Sequence, residues 1–464
     1  MLRPYQTNLI SALRSSIISG KRRLIVSAPT GSGKTRIFTH LTNAHIDRGG
    51  KVLILTHRTE LLSQAAKGFS IQPDLIRPGD KYTETAPLHI GMVETVFRRQ
   101  SKLRSLLSKK TLIIIDEAHL SNFDKLFSLF PESAIVLGFT ATPFRKGKNV
   151  LGLDDLYEDL IQGIDTPEII DLGYLSRAKT FGMYIDLSGI GSTGTDYDTK
   201  EIFEKNRIFQ GVVTQWEKHA KNTKTILFAS NVKSSKDVCA EFQQRGYNAK
   251  HIDGTIPENE RQAILEWFNQ TPTAIICNCG ILTAGFDQPD IETVILYRAT
   301  TSLPLFLQMC GRGSRITEGK THFNILDFGM NVARLGMWES PRIWTLKKES
   351  TRTKKKDAAA IKFCECGALI PASSRVCPIC GRTFKKTEKE IIAELRELSP
   401  AEVREMARGL DLGQKAKLCK SKVLNFRHEM HKIEDKREAL EFVKLMGYKT
   451  GWIAMNRKYF KVLQ

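Results

Sequence analysis

Short, continuous apolar runs separated by helical patterns dominate the first third of the chain. Leu24–Val26, Val52–Leu55, Leu112–Ile115 and Ile135–Phe139 carry no polar alternation. That pattern predicts parallel strands covered on both faces. A second series, Ile226–Phe228, Ala274–Ile276, Val294–Leu296 and Asn324–Leu326, repeats it. Between them runs a less regular bridge that includes the Gly/Ser/Thr-rich stretch Ser188–Thr195. The expected fold class is α/β, with two tandem parallel-sheet lobes over residues 1–167 and 168–340. Beyond Pro341 the texture changes. Residues 341–360 read as a basic linker, 361–385 as a cysteine-bearing ribbon and 386–464 as a helical, charge-rich domain.

Length and charge narrow the partners. The 464 residues carry 70 Lys+Arg against 50 Asp+Glu, a formal net charge of +20. Such an excess favours a polyanionic partner, nucleic acid first, with a merely basic soluble enzyme as the alternative. No stretch is apolar enough for a membrane span or secretory signal, and the nine cysteines do not form a disulfide framework. Both point to a reducing, cytoplasmic setting.

Ala28-Pro29-Thr30-Gly31-Ser32-Gly33-Lys34-Thr35 follows the first strand and opens a helical pattern. A glycine turn ahead of a helix N-terminus aims N–H groups at phosphate, Lys34 reaches the β/γ-phosphates, and Thr35 offers a hydroxyl to Mg²⁺. Ala28 stands where the strict phosphate-loop pattern has glycine. Asp116-Glu117-Ala118-His119 follows the third apolar run. Asp116 suits Mg²⁺, and Glu117 suits the orientation and deprotonation of an attacking water.

With these two motifs the chain resembles the superfamily 2 helicases and translocases, over roughly residues 2–335. Arg3 and Gln6 are similar to that family's adenine-reading motif, and its phosphate loop often begins with alanine, as at Ala28. Thr140-Ala141-Thr142-Pro143 resembles the segment that couples ATP state to nucleic-acid grip, a role that His119 shares by resemblance; a structural histidine is the alternative. Gln308-Met309-Cys310-Gly311-Arg312-Gly313-Ser314-Arg315 matches the pattern whose arginines reach the γ-phosphate from the second lobe. The resemblance implies two RecA-like lobes, with Thr30, Gly31, Ser32, Gly33 and Asp287 also at the nucleotide. It further implies nucleic-acid contacts from Thr56, His57, Arg58, Thr95, Ser230, Asn231 and Thr283; turn chemistry or capping competes for each. His251-Ile252-Asp253-Gly254 with Arg261 is a weaker likeness to a second-lobe segment.

Cys364-Glu365-Cys366-Gly367 and Cys377-Pro378-Ile379-Cys380-Gly381 supply two close cysteine pairs. Four thiolates at this spacing predict a structural Zn²⁺ with no open coordination position. The first pair is CxC rather than CxxC. Basic flanks at Lys347–Lys356 and Lys385-Lys386 suit nucleic acid or simply a solvated face. The tail aromatics Phe442, Tyr448, Trp452, Tyr459 and Phe460 suit a small helical core better than base stacking. The expected activity is an ATP-dependent DNA helicase or translocase acting on single-stranded, forked or branched DNA. Ser302–Leu307 looks most like the DEAH-type repair and branch-migration branch of bacteria and phages. An RNA helicase and a double-stranded-DNA translocase without strand separation are the alternatives.

Overall fold

The computed structural model describes residues 2–57, 68–79, 81–145, 152–182, 192–193, 196–197, 211–283, 286–342, 344–346, 361–371, 374–384, 412–420, 433 and 435–447. In the first lobe the chain runs α1 (Pro4–Ile18), β1 (Arg23–Ser27), α2 (Lys34–Ile46), β2 (Val52–Thr56), β3 (Asp74–Ile76) and β4 (Leu88–Met92). It continues through α3 (Val93–Arg98), α4 (Gln100–Ser108), β5 (Leu112–Asp116), β6 (Ile135–Thr140) and β7 (Asp159–Gln162), and then passes into α5 (Thr166–Asp171), whose Ile169 and Ile170 are buried in the second lobe's core. The strands form one parallel sheet ordered β3-β4-β2-β5-β6-β1-β7. Neighbours along one strand enter different cores. Leu24 and Val26 pack with α1 and α2, whereas Ile25 packs with Phe123 and Tyr157 on the other face. Burial on both sides is why these strands carry no polar alternation.

The second lobe holds β8 (Arg177–Gly182), the hairpin strands β9 (Ser192–Thr193) and β10 (Asp196–Tyr197), α6 (Val212–Ala220), β11 (Thr225–Ala229), α7 (Val232–Gln244) and β12 (Ala249–Asp253). There follow α8 (Glu258–Gln270), β13 (Ile275–Cys279), β14 (Thr293–Tyr297), α9 (Leu303–Cys310), β15 (His322–Asp327) and α10 (Asn331–Leu335). Its sheet is also parallel, ordered β12-β13-β11-β14-β15-β8. In both sheets the loops at the carboxyl ends of the strands are where an α/β fold places its ligands.

β8 is an edge strand, and the start of the ribbon covers it. The hairpin β16 (Ile361–Phe363) and β17 (Leu369–Pro371) is antiparallel. Phe181 bridges Ala368, and the Gly182 amide donates to the Gly367 carbonyl at 3.2 Å. Capping an edge in this way removes a row of unpaired backbone groups. Further on, α11 (Leu412–Lys420) and α12 (Lys436–Met446) are described, with Asp435 capping α12 through Arg437 and Glu438 amides. Phe442 is buried; Tyr448, Trp452, Tyr459 and Phe460, like both lysine-rich flanks, lie outside the described residues. No described helix is long and apolar enough to cross a membrane.

Candidate active site

The phosphate loop is built on two residues that only glycine accommodates easily. Gly31 and Gly33 have φ of +85° and +82°, the left-handed region. A Cβ on Gly33 would lie 2.6 Å from Gln6 Nε2, and one on Gly31 would lie 2.8 Å from Leu175 Cδ2. Gly33 is the N-cap of α2, so the amides of that helix's first turn open beside Lys34 and Thr35. Lys34 Nζ rests on the Ala28 and Pro29 carbonyls at 3.1 and 3.2 Å. Gln6 Nε2 and Tyr5 Oη both donate to the Ser32 carbonyl, at 2.9 and 2.8 Å, while Gln6 Oε1 accepts from the Arg3 amide at 2.9 Å. The Arg3 guanidinium lies 4.2 Å from the centre of the Tyr174 ring.

Asp116 ends β5, and Glu117 follows with φ of +54°, an uncommon conformation for a residue with a side chain. Arg145 holds this turn. Its guanidinium donates to the carbonyls of Ala118 (3.1 Å), His119 (2.9 Å) and Leu120 (3.0 Å) and pairs with Asp124 at 2.8 Å. His119 Nδ1 lies 2.9 Å from Thr140 Oγ1 and 3.5 Å from Glu117 Oε2, and the Thr142 amide donates to Thr140 Oγ1 at 3.0 Å.

The second lobe closes over this face. Lys34, Thr35, Asp116 and Glu117 share one cleft with Arg312 and Arg315. Asp287 and Gln308 line it too. Arg312 donates to the carbonyls of Thr283 (2.8 and 3.2 Å) and Phe286, and Arg315 is paired with Asp287. The arginines therefore sit at the cleft with their heads held by their own lobe.

Residues 1–145 match the family profile of the type III restriction enzyme res subunit, and residues 204–317 that of the helicase conserved C-terminal domain. A 51.5 kDa protein of a Lactococcus phage (isolate 7-9) is 33% identical over 374 residues, covering 79% of this chain and 79% of that protein. The Saccharomyces cerevisiae protein named as an ATP-dependent helicase, IRC3, is 32% identical over 385 residues, covering 75% of this chain. The chain spans 54% of that yeast protein's length. The chain belongs to the superfamily 2 helicases. The solved fragment named as an HsdR subunit of a type I restriction enzyme from Vibrio vulnificus YJ016 shares the fold. Its TM-score is 0.58 at 20% identity, over 73% of this chain and 67% of that one. The two sheets are thus the RecA-like lobes of an ATP-hydrolysing helicase.

In this helicase the cleft fits a nucleotide phosphate with Mg²⁺. The loop leaves no room for a Cβ at Gly33, and the Lys34 amine, the carboxylates of Asp116, Glu117 and Asp287 and the guanidiniums of Arg36, Arg312 and Arg315 line one space. A second cleft, of about 860 Å³, is lined by His57, His119, Thr283 and Gln308. Gln308 borders both clefts. Thr56 is buried at the end of β2 and Thr95 within α3. Ser230 precedes Asn231, whose Oδ1 caps α7 by accepting the Ser234 amide at 2.8 Å. Arg58 lies outside the described residues.

The ribbon's four thiols converge. The sulfurs of Cys364, Cys366, Cys377 and Cys380 all lie within 4.8 Å of one another. A tetrahedral zinc with Zn–S of about 2.3 Å would set them roughly 3.8 Å apart. Each pair ends in a left-handed glycine, Gly367 (φ +90°) and Gly381 (φ +73°). Their amides donate to the Cys364 and Cys377 carbonyls at 2.8 and 2.9 Å. The donor set and geometry fit a metal.

The motifs did not disclose the contacts of Tyr5, Arg145 or Tyr174. Tyr5 and Arg145 had a signal, since Tyr5 stands between Arg3 and Gln6 and Arg145 two residues beyond Thr142-Pro143.

Proposed function

We propose that this helicase is a DNA motor in which ATP is hydrolysed between the lobes and each hydrolysis moves or opens a forked or branched duplex. The observation that carries the reading is the single cleft shared by Lys34, Asp116, Glu117, Arg312 and Arg315. Lys34 holds the β/γ-phosphates in the glycine turn, with the α2 N-terminus behind it. Thr35 and Asp116 would hold Mg²⁺, which neutralises phosphate charge. Glu117 takes the proton of the attacking water, and the next residue, Ala118, is pinned at its carbonyl by Arg145 and at its amide by the Phe139 carbonyl. Arg312 and Arg315 stabilise charge on the transferred phosphoryl, a contribution of order 10³–10⁵ in rate for such arginines. They come from the other lobe, so hydrolysis requires closure. Arg3, Gln6, Tyr5 and Tyr174 surround the base-binding side.

His57 and Thr283 beside the second cleft suit phosphate and sugar contacts, which position a strand without reading its bases. The restriction-enzyme profile over residues 1–145 and the net charge of +20 support DNA. The ribbon would hold one structural zinc. A cytoplasmic setting suits the reduced thiols.

The test is steady-state ATPase activity of the full chain with single-stranded DNA, duplex DNA, a four-way junction or RNA. Junction and single-stranded DNA are expected to stimulate most. Stimulation by RNA alone would make it an RNA helicase. Triplex displacement without strand separation would make it a duplex translocase.

A further inference from the structure

The turn that presents Arg315 is gripped at its main-chain carbonyls by Ser176 and Lys320. After α9 the Ser314 carbonyl accepts the Ser176 amide at 2.7 Å, and the Arg315 carbonyl accepts Ser176 Oγ at 3.2 Å. Lys320 reaches back to the same turn. Its ammonium lies 2.6 Å from the Gly313 carbonyl and 2.7 Å from that of Arg315. It also lies 2.6 Å from the Ile291 carbonyl and 3.1 Å from that of Pro289, both on the approach to β14. A protonated amine has three donors, so four carbonyls saturate it. Gly319 (φ +77°) and the bond from the Lys320 amide to the Thr317 carbonyl make the tight reversal that folds the side chain back.

We propose that Lys320 is a positioning residue for ATP hydrolysis: its ammonium ties the Gly313–Arg315 turn to the second-lobe sheet and so fixes where Arg315 enters the nucleotide cleft. This rests on the reading of Arg315 as a phosphate-contacting arginine. The Arg315 head pairs with Asp287 and the Phe286 carbonyl, contacts it must leave to reach phosphate. The main-chain anchor at Lys320 stays put while the head moves. Placement within a fraction of an ångström matters for such a group.

The anchor is also titratable. Burial lowers the Lys320 amine to about 8, against the opposing pull of Glu292 and Asp290, and with a smaller lowering from Arg315. Asp290 is itself bonded to Lys224 at 2.7 Å. The neighbouring His322 is lowered by burial from 6.5, so it is already neutral where Lys320 titrates. Losing the proton leaves two donors and a lone pair facing four carbonyl oxygens.

The experiment measures DNA-stimulated kcat and KM for ATP in the full chain between about pH 6.5 and 9.5. Wild type, K320M, K320R and R315A are compared. Wild-type kcat is expected to fall as pH rises through about 8. K320M is expected to lose roughly 10- to 100-fold in kcat near neutral pH, with a smaller change in KM, and to lack that limb. K320R, whose charge does not titrate, should recover most of the rate and remain active above pH 8. If K320M fails to fold, the K320R profile decides alone. A K320R profile with the wild-type limb, or K320M at wild-type kcat beside an inactive R315A, overturns the proposal. R315A at wild-type rate would instead overturn the reading of the arginine itself.

Discussion

Gly311 of the second lobe faces Thr30 of the phosphate loop so closely that a Cβ there would lie 2.4 Å from Thr30 Cγ2 and 2.8 Å from Thr30 Cβ. The lobes therefore meet through a missing side chain, at the position ahead of Arg312. Gly311→Ala should prop the cleft open at a cost of about 1–3 kcal/mol, typical of overpacking. That corresponds to roughly a 10- to 100-fold loss in kcat, with nucleotide binding by the first lobe less affected. Thr30→Ser removes Cγ2 and should restore part of the loss in the double variant. Unchanged turnover in G311A would mean that hydrolysis does not use this closed approach.

Lys34→Ala and Glu117→Gln should both stop turnover, but at different steps. On the proposed reading Lys34 holds phosphate, so its loss should weaken nucleotide binding as well. Glu117→Gln keeps the shape and removes the base, so ATP should still bind while hydrolysis falls by about 10²–10⁴. Fluorescent-nucleotide titration alongside single-turnover hydrolysis separates the two. Equal binding defects in both variants would contradict the assigned roles.

How much of this was legible follows from burial. The central strands β1, β2, β5, β6, β11, β13, β14 and β15 announce themselves as apolar runs, because both faces are covered. In these two sheets the strands that escaped are the four edge strands, β3, β7, β8 and β12, and β4 beside β3. β8 reads Arg-Ala-Lys-Thr-Phe-Gly, since its outer side meets the ribbon rather than a core. The motifs that converge on the first cleft were visible in the sequence because phosphate chemistry fixes residue types at fixed spacing. Lys320 was not: it donates to main-chain carbonyls, and a carbonyl leaves no trace in a sequence. Asn231 shows the reverse limit, since its side chain caps a helix whatever else it touches.

Asp253 gives a pH-dependent prediction for stability. It is buried and accepts from Thr255 Oγ1 (2.6 Å) and the Thr255 amide (2.7 Å), and His251 Nε2 lies 2.8 Å away. The Thr255 and His251 hydrogen bonds hold its carboxyl well below the usual carboxylate range. A carboxylate depressed on folding stabilises above its unfolded value, near 4, and loses that contribution as pH falls toward the folded value. Asp253→Asn should therefore cost about 1–3 kcal/mol near neutral pH, the range for hydrogen bonds to a charged group. The gap to wild type should narrow in acid. Denaturant titrations at neutral and acidic pH measure it; a constant gap would show that charge plays no part.

The ribbon should carry about one zinc per chain, and Cys377→Ser should lose it. Because such a short segment depends on its metal to fold, chelation should expose residues 361–384 to proteolysis while the lobes persist. Elemental analysis and limited proteolysis read both effects. Full protection after complete metal removal would show that the hairpin's pairing with β8 suffices.

The link between His119 and Thr140 ties the end of β5 to the end of β6, and thereby the hydrolytic turn to the second cleft that His119 and His57 line. Thr140 Oγ1 also accepts the Thr142 amide, so one hydroxyl sets both the ring and the following loop. Thr140→Ala removes that hydroxyl without altering a charged group. Its direct energetic cost is about 1–3 kcal/mol, from a buried imidazole left with one partner fewer. If the link transmits ATP state to the DNA-facing side, T140A should lower strand displacement per ATP hydrolysed by about tenfold, a 1.4 kcal/mol loss of coupling. DNA-free hydrolysis should fall much less. Thr140→Ser, which keeps the hydroxyl, should restore the ratio. Parallel losses in hydrolysis and displacement would place Thr140 in the chemistry rather than in its transmission.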